Sequence, residues 1–239
     1  MAVGNAASAS TSITLAANLP PSEVFSYWGW CLIRSYGGAG AFRSIVELCT
    51  SIEDKGAWFA TDGSSLAIAT GSATTTFGSS PSTGIWFFFA VTDKGGASGI
   101  TGYWAYPGDN TFTTISATGD TFTPGKLTLL SDISNEEADV VLENFGCADV
   151  TLTSDEVTAI FHEGDPRSVR NQRLFLPFTT KDNTLDYING YVVTVTGSIT
   201  TELPSGIAPP FRSAIRRPVF RTVAAAPPAG GTSNFFLAM

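Results

Sequence analysis

The 239-residue sequence predicts an all-β fold, a two-sheet antiparallel sandwich with one short helix and an extended C-terminal arm. Short runs rich in Val, Ile, Thr, Phe, Tyr and Trp are bounded by Gly, Ser, Asn and Asp, which is the pattern of strands and turns. The chain is 43% hydrophobic and only 14% charged, as expected of a packed domain. A single capping motif interrupts the strand pattern, and the composition changes near Pro209.

Eleven strands are predicted, at a spacing typical of two-sheet sandwiches. They are Phe25–Arg34, Ala41–Cys49, Gly56–Thr61, Ser65–Thr70, Ile85–Asp93, Ile100–Tyr106, Thr111–Ile115, Gly125–Leu130, Val140–Leu152, Arg173–Phe178 and Tyr191–Ile199. The run Ile85–Val91 is apolar at every position, so we expect a central strand that is covered on both faces.

The one predicted helix follows the ninth strand. Thr153 at the N-cap and Glu156 three residues later form a capping box, and Gly164 is placed to end the helix. The side chains that recur at helical spacing, and should pack on a sheet, are Val157, Ile160 and Phe161.

Charge is distributed unevenly along the chain. All 21 acidic residues lie at or before Glu202, so residues 1–211 carry a formal charge of −12 and residues 212–239 carry +4. The acidic body disfavours nucleic-acid binding, because phosphate contacts need clustered Lys and Arg. We therefore expect no nucleic-acid partner.

From about Pro209 the segment FRSAIRRPVFR is basic, AAAPPAGG is hinge-like and SNFFLAM is apolar. We predict a sandwich over residues 1–210 and an arm over residues 211–239 that docks on a neighbouring protein; a disordered linker is the alternative. The arm residues expected to make contacts are Arg212, Arg216, Arg217, Arg221, Phe235 and Phe236.

The sequence shows no signal that would target the chain for secretion or to a membrane. The start, MAVGNAASASTS, lacks the basic and apolar regions of a secretory signal peptide, and no apolar run approaches the roughly 20 residues that span a bilayer. We expect no membrane partner.

Cys31, Cys49 and Cys147 are too few and too irregularly spaced for a disulfide framework or zinc site, and are interpreted as buried thiols.

The second half of the chain carries a resemblance. A core strand IWFFFAVTD, a hairpin reaching GYWAYPGDN and the stretch VVLENFGCADVTLTSDEVTAIFHEGDP follow in order, and then RLFLPFTTKDNTLDYINGYVVTVTGSI. This order resembles laminin-G-like domains of the concanavalin A-like lectin and glucanase superfamily, over about residues 25–210. The resemblance implies a jelly roll of the kind found in phage virion proteins.

Several sites follow from the resemblance as expectations. Relatives that are glycoside hydrolases place acids along one strand, and the nearest match is Glu137, Asp139 and Glu143, where a solvated acidic loop is the favoured interpretation. The only histidine, His162, suits the last turn of the helix as a cap.

Lectins of this group often hold calcium with loop oxygens. The candidate ligands are Asp182, Asn183 and Asp186, with Asp109 and Asn110 as a second cluster. Ordinary turn chemistry explains both clusters better, so we expect no cofactor, with calcium as the alternative.

Exposed aromatic rings are the glycan-binding candidates, because a flat ring can stack on a sugar. The candidates are Tyr103, Trp104 and Tyr106 in the hairpin, then Trp58, although burial against the sheet is as good an interpretation for the hairpin rings. Trp28, Trp30 and Trp86 are assigned to the core.

The sequence thus predicts a non-catalytic structural or adhesive protein, most plausibly a capsid decoration or tail-associated component of a phage virion. Its expected partners are other virion proteins, reached through the arm, together with cell-surface polysaccharide, and a homo-oligomer is expected. The alternatives are an extracellular carbohydrate-binding lectin module and a glycoside hydrolase.

Overall fold

The computed structural model describes residues 2–4, 12–15, 24–37, 42–50, 56–71, 73–122, 126–131, 138–163, 169–178, 186, 188, 193–196 and 200–202. Their strands are β1 (Ala2–Gly4), β2 (Ser12–Leu15), β3 (Val24–Ser35), β4 (Phe42–Cys49), β5 (Gly56–Asp62), β6 (Ser65–Thr70), β7 (Ala73–Thr76), β8 (Trp86–Lys94), β9 (Ile100–Ala105), β10 (Thr113–Ala117), β11 (Lys126–Leu129), β12 (Asp139–Ala148), β13 (Gln172–Leu176), β14 (Val193–Thr196) and β15 (Thr200–Glu202). The α-helix α1 is Ser154–Glu163.

The strands form two antiparallel sheets. Sheet A has the order β10-β9-β8-β3-β12-β1-β15, with β13 also paired to β12, and sheet B has the order β14-β2-β11-β4-β5-β6-β7. Strands that are neighbours in one sheet are often distant in sequence, so the chain passes repeatedly from one sheet to the other. The predicted two-sheet jelly roll with one short helix is confirmed.

Strand β8 lies between β3 and β9, and both of its faces are covered. Phe87 and Phe89 enter the core between the sheets, while Trp86 and Phe88 enter a second cluster on the outer face of sheet A. The central strand is therefore as predicted. Ile85 is an exception, since it precedes the strand and is 44% exposed.

Aromatic contacts join the two sheets. The rings of Phe59 on β5 and Phe89 on β8 stack with centroids 4.5 Å apart. Cys31 and Cys147 lie in this same core, and burial raises the pKa of both thiols, that of Cys147 to about 12. All three cysteines are buried thiols that form no disulfide, as predicted.

The capping box of α1 is confirmed. The Thr153 backbone N–H donates to the Glu156 carboxylate at 2.7 Å, and the Glu156 N–H donates to the Thr153 hydroxyl at 3.2 Å. The apolar side of the helix faces sheet A, where Phe161 packs on Trp30 and Phe88 at centroid distances of 5.8 and 5.4 Å.

The segment between β12 and α1 is fixed to β3 by the buried Ser26. The Ser26 hydroxyl donates to the Val150 carbonyl at 2.8 Å and accepts from the Leu152 N–H at 2.9 Å. A buried backbone polar group without a partner is costly, so these bonds stabilise the connection that positions the helix.

Four described strands, β1, β2, β7 and β15, were not predicted, and several strand boundaries differ from the prediction. Strand β12 ends at Ala148, because the next residues form the connection to α1 instead of continuing the strand to Leu152. Strand β7 was missed, since its Ala-Thr-Thr-Thr sequence is polar and lies at the edge of sheet B. The arm, residues 211–239, lies outside the described residues, so the predicted domain boundary stays a prediction.

Gly146→Ala should destabilise the fold by about 1–3 kcal/mol, because a methyl group would overpack a closed interior. A Cβ at Gly146 would lie 2.4 Å from Cζ2 of the buried Trp28 ring. The matched control is Gly78→Ala, where a Cβ would meet no atom within 4 Å. The stability of both variants is measured as the urea concentration at the midpoint of unfolding. Equal midpoints would contradict the close packing of Gly146 on Trp28.

Glu156→Gln should remove a pH-dependent stabilisation. Arg170 donates a hydrogen bond from Nε to Oε1 of Glu156 at 2.7 Å. This bond lowers the pKa of Glu156 from 4.5 to about 2. The charged form therefore stabilises the fold above pH 4.5, and this contribution is lost as the pH falls towards 2. For this half-exposed pair we expect a loss of about 0.5–1 kcal/mol at pH 7.

Urea unfolding at pH 7 and pH 2 measures this difference between the wild type and the Glu156→Gln variant. Asp155→Asn, at an exposed position in the same helical turn, controls for the helix dipole. A difference for Glu156→Gln that is as large at pH 2 as at pH 7 would show that the charge is not its cause.

Candidate functional site

A polar groove of about 660 Å³ lies where the edge strands of the two sheets meet, β10 of sheet A and β7 of sheet B. The turn between β8 and β9 forms one wall. Its lining residues are Ala73, Thr75, Lys94, Ala97, Ser98, Gly99, Ile100, Thr101, Ser116, Ala117 and Thr118.

Glycines shape the turn that forms this wall. Gly95, Gly96 and Gly99 have φ values of 85°, 55° and 102°, a region that other residues rarely adopt. The buried Asp93 accepts the Gly95 N–H at 2.7 Å and holds the start of the turn. A Cβ at Gly119 would lie 2.3 Å from the Gly96 carbonyl oxygen, so the segment after β10 packs directly on the turn.

Hydroxyl groups dominate the polar lining of the groove. Each can both donate and accept a hydrogen bond, and those of Thr101 and Ser116 lie 3.4 Å apart across β9 and β10. Lys94 is exposed and supplies a positive charge. None of the described lining residues is acidic, although the body around them carries a strong negative charge. The groove can therefore hydrogen-bond a polyhydroxylated molecule and tolerate an anionic one.

The aromatic residues of the hairpin are not in this groove. Successive residues of β9 point to opposite faces, so Tyr103 packs on Phe112 outside sheet A while Trp104 enters the core. Trp104 is only 6% exposed and donates from Nε1 to the Ser79 carbonyl at 3.2 Å. Of the two interpretations that the sequence left open for this ring, burial holds for Trp104, whose ring packs against Phe87 inside the sandwich.

Tyr106 is half-buried, and its hydroxyl accepts the Ser82 N–H at 2.7 Å. This bond helps to hold the loop between β7 and β8. Trp58 is 5% exposed, and its Nε1 donates to the Glu47 carboxylate at 3.0 Å. The predicted exposure of Trp58 is wrong, because the ring is buried on sheet B. A role in glycan binding stays a prediction for Tyr103 and Tyr106.

Of the three first-choice calcium ligands, the structure describes only Asp186. Asp182 and Asn183 lie outside the described residues. Asp186 is buried, and one of its oxygens accepts the N–H groups of Phe175 and Ile188 at 2.9 and 3.0 Å. In the part of the chain that the structure describes, no group of three His, Cys, Asp or Glu side chains could hold a metal ion.

The second cluster forms a turn. Asp109 accepts the Tyr106 N–H at 2.8 Å, and its own N–H donates to the Tyr106 carbonyl at 3.1 Å. Asn110 is exposed. This geometry is the ordinary turn chemistry that the sequence favours for this pair.

The candidate hydrolytic acids have different surroundings. Glu137 lies outside the described residues. Asp139 forms an ion pair with Arg34 at 3.3 Å, and Glu143 is a buried residue of β12. His162 is exposed in the last turn of α1, beside the Phe161 ring. The core assignment of Trp28, Trp30 and Trp86 is confirmed by their burial.

Sequence reasoning missed the groove and the buried Glu47. The groove residues are small, belong to no motif and span positions 73 to 118, so the sequence carries no local signal for them. Glu47 could have been noticed as the one acid in the otherwise apolar run Ile45–Cys49. No helix in the described part of the chain is long and apolar enough to cross a membrane.

No protein-family model matches the chain, and no curated protein matches it. A heptameric SAP-like pentraxin from Limulus polyphemus is similar in structure, with a TM-score of 0.55 and 10% identity over 83% of this chain and 93% of the pentraxin. A candidate carbohydrate-binding protein from Bacteroides ovatus has a TM-score of 0.59 and 11% identity, over 84% of this chain and 59% of that protein. This chain therefore spans less than two thirds of the Bacteroides protein. Both similarities are similarities of fold, and they agree with the two-sheet jelly roll that the sequence predicts.

Proposed function

We propose that this chain is a non-catalytic adhesive protein that binds carbohydrate in the groove between β7 and β10. The observation that carries this proposal is the lining of the groove. Five of its described residues, Thr75, Ser98, Thr101, Ser116 and Thr118, bear hydroxyl groups, and small apolar side chains lie between them. A sugar presents the same combination of hydroxyl groups and apolar C–H surface.

The size and charge of the groove support this assignment. Its volume of about 660 Å³ lies within the usual range for small-molecule sites, about 300–1,000 Å³. Lys94 would attract a carboxylate or sulfate group, whereas most of the body repels anions. The jelly-roll fold is shared with the candidate carbohydrate-binding protein from Bacteroides ovatus, which agrees with a glycan ligand.

Binding without hydrolysis agrees with the same lining. Glycoside hydrolysis by the usual route requires a pair of carboxyl groups about 5–10 Å apart around the scissile bond. The described residues that line the groove include no Asp, Glu, His or Cys. The groove therefore offers hydrogen-bond partners, and its described lining residues supply no carboxylate pair for this reaction.

We also propose that the protein is displayed on a virus particle, as a capsid decoration or tail-associated component of a phage. One sequence feature supports this location, the basic and apolar composition of residues 211–239. Arginine forms two-pronged bonds with carboxylates, so the arm could hold acidic neighbours in a particle. The alternative is a lectin module with an extracellular location.

Ala97→Trp should reduce glycan affinity at least tenfold, because the indole would fill a groove whose wall Ala97 forms. Thr83→Trp, at an exposed loop position outside the groove, should bind like the wild type. A glycan array identifies a ligand and calorimetry gives Kd for each variant. Equal affinity of all three proteins would reject the groove, and loss of binding only in Tyr103→Ala would move the site to the outer face of sheet A.

A chain truncated after Pro210 should lose its place on the particle, because the arm that makes the contact is missing. The measurement is the number of copies per purified particle, determined by quantitative mass spectrometry. The control is glycan binding by the truncated chain, which should remain if the body is folded. Unchanged occupancy would contradict docking through the arm.

A further inference from the structure

Lys94 carries the positive charge of the groove. It is exposed at the end of β8, and no ion pair involves it within the described part of the chain. The cations Arg34, Arg170 and Arg173, by contrast, are each paired with a carboxylate. An ammonium group that lines a groove and has no protein partner is open to an anionic ligand.

The acids that are close to the groove in sequence do not pair with Lys94. Asp93 precedes it on β8, so the Asp93 side chain points to the opposite face of the strand, where it is buried and accepts the Gly95 N–H. Asp120 is not a lining residue, and it accepts the N–H of Thr121 at 2.8 Å. The charge of Lys94 is therefore available to a ligand.

Hydrogen bonds fix the main chain of Lys94 in its position. Lys94 is paired with Val24 of β3, and its N–H donates to the Gly99 carbonyl at 3.4 Å across the glycine turn. Only the side chain of Lys94 has to be ordered when a ligand binds, so the entropic cost of recognition is small.

We propose that the ligand of the groove is an acidic polysaccharide, whose carboxylate or sulfate group binds Lys94 while its hydroxyl groups bind the Ser and Thr side chains of the lining. This ligand class is a refinement of glycan binding and rests on the proposed function. A neutral sugar placed over Lys94 would remove water from the ammonium group without replacing its hydrogen bonds fully, which is costly. An anionic group replaces them with charge-assisted bonds, which are stronger.

The ratio of charge to hydroxyl groups in the groove favours a glycan over other anionic polymers. Nucleic-acid binding depends on several Lys or Arg contacts to phosphates, and the described lining holds one cation. Five lining residues bear hydroxyl groups, each of which can donate and accept a hydrogen bond. An acidic polysaccharide has the matching composition, because its sugars carry several hydroxyl groups for each charge.

The test uses pairs of ligands that differ only in charge. A glycan array carries uronate-containing and sulfated polysaccharides, each beside its carboxyl-reduced or desulfated form, and calorimetry then gives Kd for oligosaccharides of the pairs that bind. We expect the wild type to bind the charged form at least about tenfold more tightly, as for a hydrogen bond to a charged group. The pair that shows this preference identifies the anionic group as carboxylate or sulfate.

Substitution of Lys94 should remove the preference without removing the site. Lys94→Gln should bind the charged and neutral forms with equal affinity, and its affinity for the neutral form should stay that of the wild type. Lys94→Arg should keep the preference. The matched control is Lys126→Gln, which removes one positive charge from β11, a strand separated from β7 by β4, β5 and β6. This variant should bind both forms as the wild type does.

Equal affinity of the wild type for the charged and neutral forms would overturn this inference and leave the proposed function standing. A preference that persists in Lys94→Gln would have the same meaning. Competition by an acidic peptide or an oligonucleotide of equal charge, as strong as that by the glycan, would show that the groove recognises charge alone and would also overturn it. Absence of binding to every glycan of the array would contradict the proposed function and this inference together.

Discussion

The hydroxyl of Ser26 makes the contacts on which the arrangement of sheet A depends. It bonds both the carbonyl of Val150 and the N–H of Leu152, so the connection between β12 and α1 is fixed against β3. The helix is thereby held over the outer face of the sheet, where Trp30 and Phe88 would otherwise be exposed. Strands that are apolar on both faces are stable only when both faces are covered.

The same connection also supports the candidate site. The Thr151 hydroxyl donates to the Asp93 carbonyl at 2.6 Å, and the Asp93 side chain accepts the Gly95 N–H that begins the glycine turn. One short segment therefore links the helix to a wall of the groove. The groove lies at the sheet edge, yet its wall is bonded to the segment that carries the helix, which is the kind of support that favours a rigid site.

The sequence predicted those parts of the fold in which local chemistry and packing agree. Strand β8 was predictable because consecutive aromatic residues need cover on both faces, and α1 because Thr153 and Glu156 satisfy each other's N–H groups. Exposure could not be predicted, since it depends on which face of a strand a ring occupies and on what covers that face. Trp58 was therefore placed on the surface wrongly, and burial of Trp104 could not be separated from exposure. The groove was missed because its small residues become neighbours only when β7 and β10 meet.

The burial of the two outer faces restricts where this jelly roll can recognise a ligand. The face of sheet A is occupied by α1, and the face of sheet B is buried around Trp58. A broad cleft across either sheet would require removal of this cover and exposure of large aromatic surfaces, at a cost of about 25 cal/mol per Å². The edge groove needs no such change, because its polar lining is already open. If the groove binds the ligand, as we propose, both sheet faces stay available to stabilise the fold.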